Sequence, residues 1–241
     1  LSFDCYANVP AAEVLTATSS CGATEVSFNE EQTNFGSSCN NVITRTWTAE
    51  NLCGVTSTFV QTITVNDNID PVLVGTPASV VQINCIDDLP AVADVSATDN
   101  CGAYPVQYSV LESNPGSTCD NVITRTWSVE DACGNEASFS QTIYLNDNIN
   151  PVLNGLPTEA SVVLGCYNDL PAAPSVTASD NCSNNLVVDY DQVESNPGSS
   201  CDNVITRTWS VEDACGNSAT FTQTFTINVE GTPAFDSTPV A

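Results

Sequence analysis

The sequence has no histidine, lysine or methionine, and its only basic residues are three arginines. Without histidine or lysine, the usual pairs of nucleophile and general base are unavailable, so we expect no enzymatic activity. Against the three arginines stand 29 acidic residues, which give a formal net charge of -26. Nucleic acids and anionic membranes bind positive surface, so we expect neither as a partner.

Long apolar runs are also missing. No segment reaches the length needed to cross a membrane, so we expect no membrane insertion. No signal peptide is recognisable, and we therefore expect Leu1 to be either a mature terminus or a cut. Acidity of this size suits a secreted protein, a saline habitat or a chain that meets divalent cations.

Cysteine, by contrast, is abundant, with twelve residues in the chain. No two of them lie closer than 14 positions, whereas metal–thiolate sites usually contain a close Cys-x-x-Cys pair. Four cysteines per small unit at near-constant spacing indicate a disulfide framework, with metal–thiolate binding as the competing interpretation. Disulfides in turn predict an oxidising, extracellular or cell-surface location.

The cysteines belong to a sequence that repeats three times with a period of about 80 residues. The segment from Asn121 to Trp127 recurs from Asn203 to Trp209 and, in the first copy, from Asn41 to Trp47. We predict repeat one at residues 1–66, repeat two at 67–146, repeat three at 147–229, and a C-terminal tail at 230–241. Repeat one lacks a segment that matches Pro71–Ser79.

Short β-branched segments separated by Pro, Gly, Asn and Asp predict an all-β fold. In repeat two the predicted strands are 79–84, 93–98, 106–112, 121–130 and 137–145, and no segment has a helical period. Short strands with regular turns favour three tandem immunoglobulin-like β-sandwich domains, although five strands are fewer than the usual seven.

An arginine stands at the same place in every repeat. In the strand 121–130, Arg125 alternates with Ile123 and Trp127, so it faces the core together with the tryptophan. We predict a buried guanidinium satisfied by a glutamine of the next strand, carbonyl groups or a carboxylate, because an unpaired buried charge is costly. A ligand-binding arginine is the alternative. The residues given this structural role are Arg45, Trp47, Gln61, Arg125, Trp127, Gln141, Arg207, Trp209 and Gln223.

If successive strands run alternately up and down a sandwich, the second and fourth cysteines of a repeat lie in turns at one end. The first and third cysteines then lie at the other end. Four cysteines allow three connectivities in each repeat. From the topology we expect two disulfides within each repeat. The pairs are Cys5–Cys39, Cys21–Cys53, Cys85–Cys119, Cys101–Cys133, Cys166–Cys201 and Cys182–Cys215.

Three motifs of repeat two carry a family resemblance: Thr-Asp-Asn-Cys-Gly at 98–102, Thr-Arg-Thr-Trp-Ser-Val-Glu-Asp-Ala-Cys-Gly-Asn at 124–135, and Gln-Thr-Ile followed by Asn-Asp-Asn at 141–148. They resemble the four-cysteine hyalin-repeat (HYR-like) domains of secreted Bacteroidota surface proteins. The resemblance implies an immunoglobulin-like fold and an adhesive or stalk role at the cell surface.

The junctions between repeats read Asn-Asp-Asn-Ile-Asp-Pro at 66–71 and Asn-Asp-Asn-Ile-Asn-Pro at 146–151, which is similar to the calcium-binding linkers of cadherins. Calcium takes six to eight oxygen ligands, and each linker should meet two acidic turns of its own repeat. We predict about two interdomain calcium sites. The candidate ligands are Asp67, Asn68, Asp70, Asp99, Asn100, Glu130, Asp131 and Asn135 for the first site, and Asp147, Asn148, Asn150, Asp180, Asn181, Glu212, Asp213 and Asn217 for the second.

The alternative is that Asp-Asn clusters are simply good turn formers. An internal comparison favours calcium. Repeat one has no preceding linker, and its equivalent turns read Ser19-Ser20-Cys21 and Asn51-Leu52-Cys53-Gly54-Val55. After repeat three the linker aspartate is replaced by Val229. Candidate ligands therefore occur only where both halves of a site are present.

These observations predict an extracellular stalk or filament of a cell-surface adhesin, stiffened by calcium and disulfides. A calcium-dependent binding module for glycan or protein ligands is the alternative. The expected partners are neighbouring repeats or further copies of the chain. The tail at 231–241 begins with the same Gly-Thr-Pro-Ala as residues 75–78, so it could add a strand to the first domain of another copy.

Overall fold

A computed structural model of the protein describes residues 1–20 and 22–228. The predicted tail at 230–241 and Cys21 therefore lie outside the described residues. The described chain is all-β, apart from three short 3₁₀ turns at Tyr6–Asn8, Ile86–Asp88 and Tyr167–Asp169. Within these residues, no helix has the length and apolar character that a membrane crossing requires.

Repeat one forms a four-stranded sheet. Its strands are β1 (Ser2–Phe3), β2 (Thr24–Gln32), β3 (Asn41–Asn51) and β4 (Thr56–Val65). The sheet order is β1-β4-β3-β2, with β1 parallel to β4 and the other neighbours antiparallel. β-Branched and aromatic residues fill the two long central strands, which is the composition that a pleated, half-buried surface favours.

Repeats two and three each contain a four-stranded sheet of the same order and an additional two-stranded sheet. In repeat two the strands are β5 (Val72–Val74), β6 (Val80–Ile83), β7 (Ser96–Thr98), β8 (Gln107–Glu112), β9 (Asn121–Glu130) and β10 (Glu136–Leu145). In repeat three they are β11 (Val152–Asn154), β12 (Ser161–Leu164), β13 (Thr177–Ser179), β14 (Asp189–Glu194), β15 (Asn203–Glu212) and β16 (Ser218–Ile227). The small sheets pair β5 with β7 and β11 with β13.

The predicted strands of repeat two agree with β6 to β10 within a few residues, and only the short β5 was missed. The sandwich-like all-β fold is therefore confirmed. Chain contacts divide the protein into two compact units. One contains residues 1–81, 91–111 and 123–142, and the other contains 82–90, 112–122 and the described residues from Ile143 onward.

Each repeat buries the tryptophan of a central strand. Trp47, Trp127 and Trp209 are all buried, and each lies between two aromatic rings of the neighbouring strands. For Trp209 the neighbours are Tyr190 and Phe221, at centroid distances of 5.3 and 6.1 Å. Such tilted aromatic pairs add to the stability that burial of apolar area provides.

The predicted pairing of the cysteines within repeats is wrong. The structure contains the disulfides Cys5–Cys101, Cys39–Cys133, Cys85–Cys182 and Cys119–Cys215. Each one joins a repeat to the next. Among the described cysteines, Cys53, Cys166 and Cys201 are free and exposed. The predicted pairs Cys5–Cys39, Cys85–Cys119, Cys101–Cys133, Cys166–Cys201 and Cys182–Cys215 are not formed. The sixth predicted pair, Cys21–Cys53, includes Cys21, which lies outside the described residues.

The error has a definite physical origin. As predicted, the first and third cysteines of a repeat belong together, since both bond to the following repeat. The second and fourth likewise belong together, since both bond to the preceding repeat. A cysteine in such a turn can reach a partner in its own repeat or in the next one, and packing between repeats selects the second.

Candidate functional site

The linker aspartate is the centre of each junction. Asp67 is 3% exposed, and its backbone N–H donates to the carbonyl of Ser38, beside Cys39, at 2.9 Å. Its Oδ1 accepts the N–H of Ile69 at 3.2 Å. Asp147 repeats this arrangement with Thr118 at 3.2 Å and Ile149 at 3.1 Å. The linker is thus fixed to the turn that carries the third cysteine of the preceding repeat.

Two asparagines of the following repeat bind this aspartate. Asn100 donates to Asp67 Oδ1 at 3.1 Å, and Asn135 donates to the Asp67 carbonyl at 3.3 Å. In the second junction, Asn181 and Asn217 make the corresponding bonds to Asp147 at 3.3 and 3.0 Å. Each linker aspartate therefore connects two repeats through backbone and side chain together.

A second buried carboxylate lies in the turn that carries the fourth cysteine. Asp131 Oδ1 accepts the N–H groups of Cys133 and Asn135 at 2.8 and 2.9 Å, and its Oδ2 accepts the Asn135 amide at 2.6 Å. Burial acts to raise the pKa of Asp131, but the hydrogen bonds from Asn135 and Cys133 outweigh it, so this pKa lies below its ordinary value. Asp213 has the same set of bonds with Cys215 and Asn217.

Four carboxylate oxygens at the junctions are buried and have no hydrogen-bond partner. They are Asp67 Oδ2, Asp99 Oδ1, Asp147 Oδ2 and Asp180 Oδ1. An unpaired buried carboxylate oxygen costs free energy, so native structures satisfy such atoms with a proton donor, water or a cation. The same two positions are orphaned at both junctions.

Each junction contains one pair of carboxylates close enough to share one ion. Oxygens of Asp67 and Asp131 lie within 4.8 Å of each other, as do oxygens of Asp147 and Asp180. The nearby sulfur atoms of Cys133 and Cys182 are in disulfides, so they cannot act as thiolate ligands. The remaining donors are oxygens, which suit a hard cation such as Ca²⁺.

The predicted ligands divide into two groups. The junction clusters contain Asp67, Asp99, Asn100, Asp131, Asn135, Asp147, Asp180, Asn181, Asp213 and Asn217. The structure leaves the other six exposed, without a hydrogen bond to the junction aspartates: Asn68, Asp70, Glu130, Asn148, Asn150 and Glu212. Asn68 instead accepts a hydrogen bond from the Asn66 amide at 2.7 Å.

The disulfides across the junctions were missed although the sequence contained a signal for them. Asp99 and Asn100 directly precede Cys101, and Asp131 and Asn135 flank Cys133. If these polar residues face the linker, the adjacent cysteines must also lie at the junction. Asn100 in fact donates to Asp67 Oδ1 and lies 3.2 Å from Cys5 Sγ.

The family model of the HYR-like domain with four cysteines matches residues 74–145 and 155–227. The chain belongs to this family. The matched segments lie in repeats two and three, and the predicted HYR-like resemblance is confirmed there. HYR-like repeats are modules of a non-enzymatic family.

No curated protein sequence matches the HYR-like chain. Among solved structures, a protocadherin gammaB7 EC3-6 cis-dimer is similar at 15% identity, with a TM-score of 0.39 over 94% of this chain and 71% of that one. Protocadherin gamma B2 domains 3–6 match at 16% identity, with a TM-score of 0.32 over 78% of this chain and 59% of that chain. Likenesses this weak carry no functional conclusion.

Proposed function

We propose that the chain is an extracellular structural segment, a rigid stalk or filament element of a cell-surface adhesin, stiffened by disulfides and calcium. The observation that carries the proposal is the presence of two disulfides at each junction. Domains joined only by a linker move independently by default. Here each pair of neighbouring repeats has three covalent connections, which suits a part that must keep its geometry.

The disulfides overlap along the chain, so they also shorten the covalent route for a pulling force. Cys5 bonds to Cys101, and Cys119 bonds to Cys215. A force applied between Cys5 and Cys215 therefore passes through the two disulfides and the backbone between Cys101 and Cys119. The rest of the repeats is shielded from the load, which supports a mechanical role.

Ca²⁺ is the ligand that best fits the donor atoms at the junctions. The orphaned oxygens of Asp67, Asp99, Asp147 and Asp180 provide anionic ligands in the interior, and the chain has no lysine to neutralise them. A bound Ca²⁺ would supply charge neutralisation and a cross-link between the linker and the acidic turns. Asn100 and Asn135 would keep the linker aspartate in place through the hydrogen bonds described above.

The calcium sites are tested with linker variants. Isothermal titration of the chelator-treated protein should show about two sites, and saturating Ca²⁺ should raise Tm, since a ligand at about 100 times its Kd stabilises the folded state by about 2.7 kcal/mol. We expect Asp67→Asn to remove one site. Asp70→Asn is the matched control, because this linker aspartate is exposed.

Two results would contradict the calcium proposal. One is the absence of heat and of any Tm change at millimolar Ca²⁺. The other is an equal loss of binding in Asp67→Asn and Asp70→Asn, which would indicate diffuse attraction to an acidic surface. Neither result would contradict the proposal that the disulfides carry a pulling force.

A further inference from the structure

Strand β8 forms an exposed edge of the four-stranded sheet in the middle repeat. In the order β6-β10-β9-β8, it pairs only with β9 among the described strands. All of its residues from Gln107 to Leu111 are exposed, and Leu111 is 73% exposed. The free side of an edge strand presents unpaired N–H and C=O groups, so it is a template for pairing with another strand.

The equivalent strands of the other two repeats protect this edge with charge, whereas β8 does not. Over the five positions equivalent to 107–111, β2 carries Glu30 and Glu31, and β14 carries Asp189 and Asp191. At these positions β8 has Gln-Tyr-Ser-Val-Leu, without charge or proline. Charged residues are a common means by which proteins keep edge strands from pairing. Of the three repeats, only repeat two lacks this protection.

The opposite edges of the same sheets do not show such a contrast. They are formed by β1, β6 and β12, which contain only two to four residues each. Strands this short offer few unpaired groups, and their shortness itself limits pairing with another chain. Among the described edge strands of more than four residues, β8 is therefore the one suited to accept a further strand.

The uncharged sequence of β8 weakens the hydrogen bonding inside its own repeat. Val110 occupies the position at which Glu30 and Gln192 accept an arginine Nε–H, at 2.8 and 2.9 Å. Valine has no acceptor, and Arg125 of β9 donates from Nη1 to a backbone carbonyl at 3.3 Å. Local choices that act against the stability of their own fold are expected at functional surfaces. Val110 thus points to a contact outside the repeat.

Charge decides which kind of partner fits this edge. The chain has a formal net charge of -26, and a basic partner would be attracted by carboxylates of the kind that β2 and β14 carry. Like charges across a strand pair are destabilising, so an edge without carboxylates instead permits contact with another acidic chain. A second copy of this chain is such a partner.

The sequence of β8 is also complementary to itself about a two-fold axis through Ser109. In an antiparallel pair centred there, Tyr108 lies opposite Val110 of the second copy, and Gln107 lies opposite its Leu111. Aromatic and β-branched side chains are favourable cross-strand neighbours. Each contact occurs twice, as a two-fold interface requires.

Like charges stay apart in this register. Glu112, at the end of β8, lies opposite Val106 of the second copy, so the two Glu112 residues are about 20 Å apart along the pair. That separation exceeds the Debye length of about 8 Å at physiological ionic strength. The same register in β14 would place Asp191 directly opposite its own counterpart.

We propose that two copies of this chain associate through β8, as an antiparallel strand pair that joins their repeat-two sheets into one continuous sheet. This contact depends on neither the calcium sites nor the disulfides, and it gives the proposed stalk or filament a means of lateral association. A strand pair of this length buries less than the roughly 1,200–2,000 Å² of a stable complex, so we expect a Kd of about 0.1–1 mM.

Sedimentation equilibrium of the full chain tests the association at protein concentrations up to about 1 mM. The buffer contains a chelator and the free thiols are alkylated, which removes calcium bridges and intermolecular disulfides. We expect the average mass to rise from 25.3 kDa toward that of a dimer as the concentration increases. Raising NaCl from about 0.1 to 0.5 M should strengthen the association, because salt screens the repulsion between acidic chains.

Two results of this measurement would overturn the proposal. One is the mass of a single chain at every concentration. The other is an association that weakens with salt, which would indicate attraction between opposite charges. Failure of the calcium proposal would leave the strand pair standing, since the chelator is present throughout.

Ser109→Asp is the decisive variant, because it places two carboxylates opposite each other at the proposed axis. Asp191 occupies the corresponding position of β14, so a strand of this kind accommodates the residue. Gln107→Asp is the matched control, since it adds the same charge to the same strand but opposite Leu111 of the second copy. We expect Ser109→Asp to weaken association about fivefold or more, and Gln107→Asp about twofold or less. Equal weakening by both would contradict the two-fold register.

Nuclear Overhauser effects between differently labelled copies identify the contact directly. In a mixture of chains with ¹³C-labelled valine methyl groups and unlabelled chains, we expect a signal between Val110 of one copy and the Tyr108 ring of the other. Its absence under conditions where the mass shows association would place the contact elsewhere and overturn the proposal.

Val110→Gln separates association from folding. The glutamine restores an acceptor for Arg125, so we expect repeat two to become more stable. It also removes both Tyr108–Val110 contacts, and association should weaken about threefold or more. Unchanged association in this variant would contradict the role given to Val110.

Discussion

At the scale of single residues, two buried arginines use different acceptors for the same purpose. Arg45 Nε donates to Glu30 Oε2 at 2.8 Å, and Arg207 Nε donates to Gln192 Oε1 at 2.9 Å. Glu30 and Gln192 stand opposite these arginines in the neighbouring strand. The hydrogen bond from Arg45 lowers the pKa of Glu30, with a smaller contribution from Gln32. An amide oxygen therefore accepts the arginine Nε–H in repeat three, as a carboxylate oxygen does in repeat one.

This comparison predicts that Glu30→Gln is tolerated near neutral pH and removes one acid-sensitive contribution to stability. The folded-state pKa of Glu30 is depressed below its ordinary value of 4.5. Its stabilising contribution is thus present above the unfolded-state pKa and is lost as the pH falls through the folded-state pKa. In thermal melts the difference in Tm between wild type and variant should shrink or reverse on acidification from pH 6 to about 3.

Glu31→Gln is the control, because Glu31 is the exposed neighbour of Glu30 on the same strand. It should leave the pH dependence of Tm unchanged. Parallel melting curves of wild type and Glu30→Gln over this whole pH range would show that the Arg45 ion pair contributes nothing to acid sensitivity.

At the scale of elements, the β8–β9 pair lacks an acceptor that the equivalent pairs provide. Arg125 is 4% exposed and donates from Nη1 to the Ala91 carbonyl at 3.3 Å. The residue of β8 that corresponds to Glu30 and Gln192 is Val110. A buried guanidinium with fewer partners retains more of its desolvation cost.

We therefore predict that Val110→Gln stabilises repeat two, by about 0.5–1.5 kcal/mol, by providing an Oε1 acceptor for Arg125 Nε. Denaturant unfolding with the disulfides intact measures the effect. Ser109→Gln places the same side chain on the other face of β8 and should be close to neutral. Equal effects of the two substitutions would show that the acceptor is not what the strand pair lacks.

At the scale of the whole molecule, the disulfides predict a chain that barely lengthens under load. With all four bonds formed, about 18 residues of backbone carry a force between Cys5 and Cys215, equivalent to about 65 Å when fully extended. After reduction the same two points are separated by about 210 residues, or about 700 Å.

Single-molecule pulling through the termini tests this prediction. Oxidised chains should show no unfolding step of the length of a whole repeat, and a thiol reductant should introduce three such steps. Steps of that length in the oxidised protein would show that the disulfides are not in the force path.

Much of the fold follows from local sequence pattern. Alternation along 121–130 predicted that Arg125 and Trp127 share the buried face, and the structure has both buried. The cation sites at the linkers and Asp-Asn turns stay a prediction; the orphaned oxygen of Asp67 lies in a linker and that of Asp99 in an Asp-Asn turn. Carbonyl groups and a carboxylate accept from the arginines as predicted. The glutamine of the next strand does not, since Gln223 donates to a carbonyl rather than accepting from Arg207.

The sequence by itself determined the repeat, the all-β class and the inward-facing residues, because these depend on a period of two within a strand and on turn-forming residues between strands. Only the tertiary structure decided how the cysteines pair and which carboxylates are buried. A turn's sequence places Cys101 next to Asn100, but the partner Cys5 lies 96 positions away. That choice depends on how one repeat packs against the next, and the local pattern is the same whether a cysteine bonds within its repeat or across the junction.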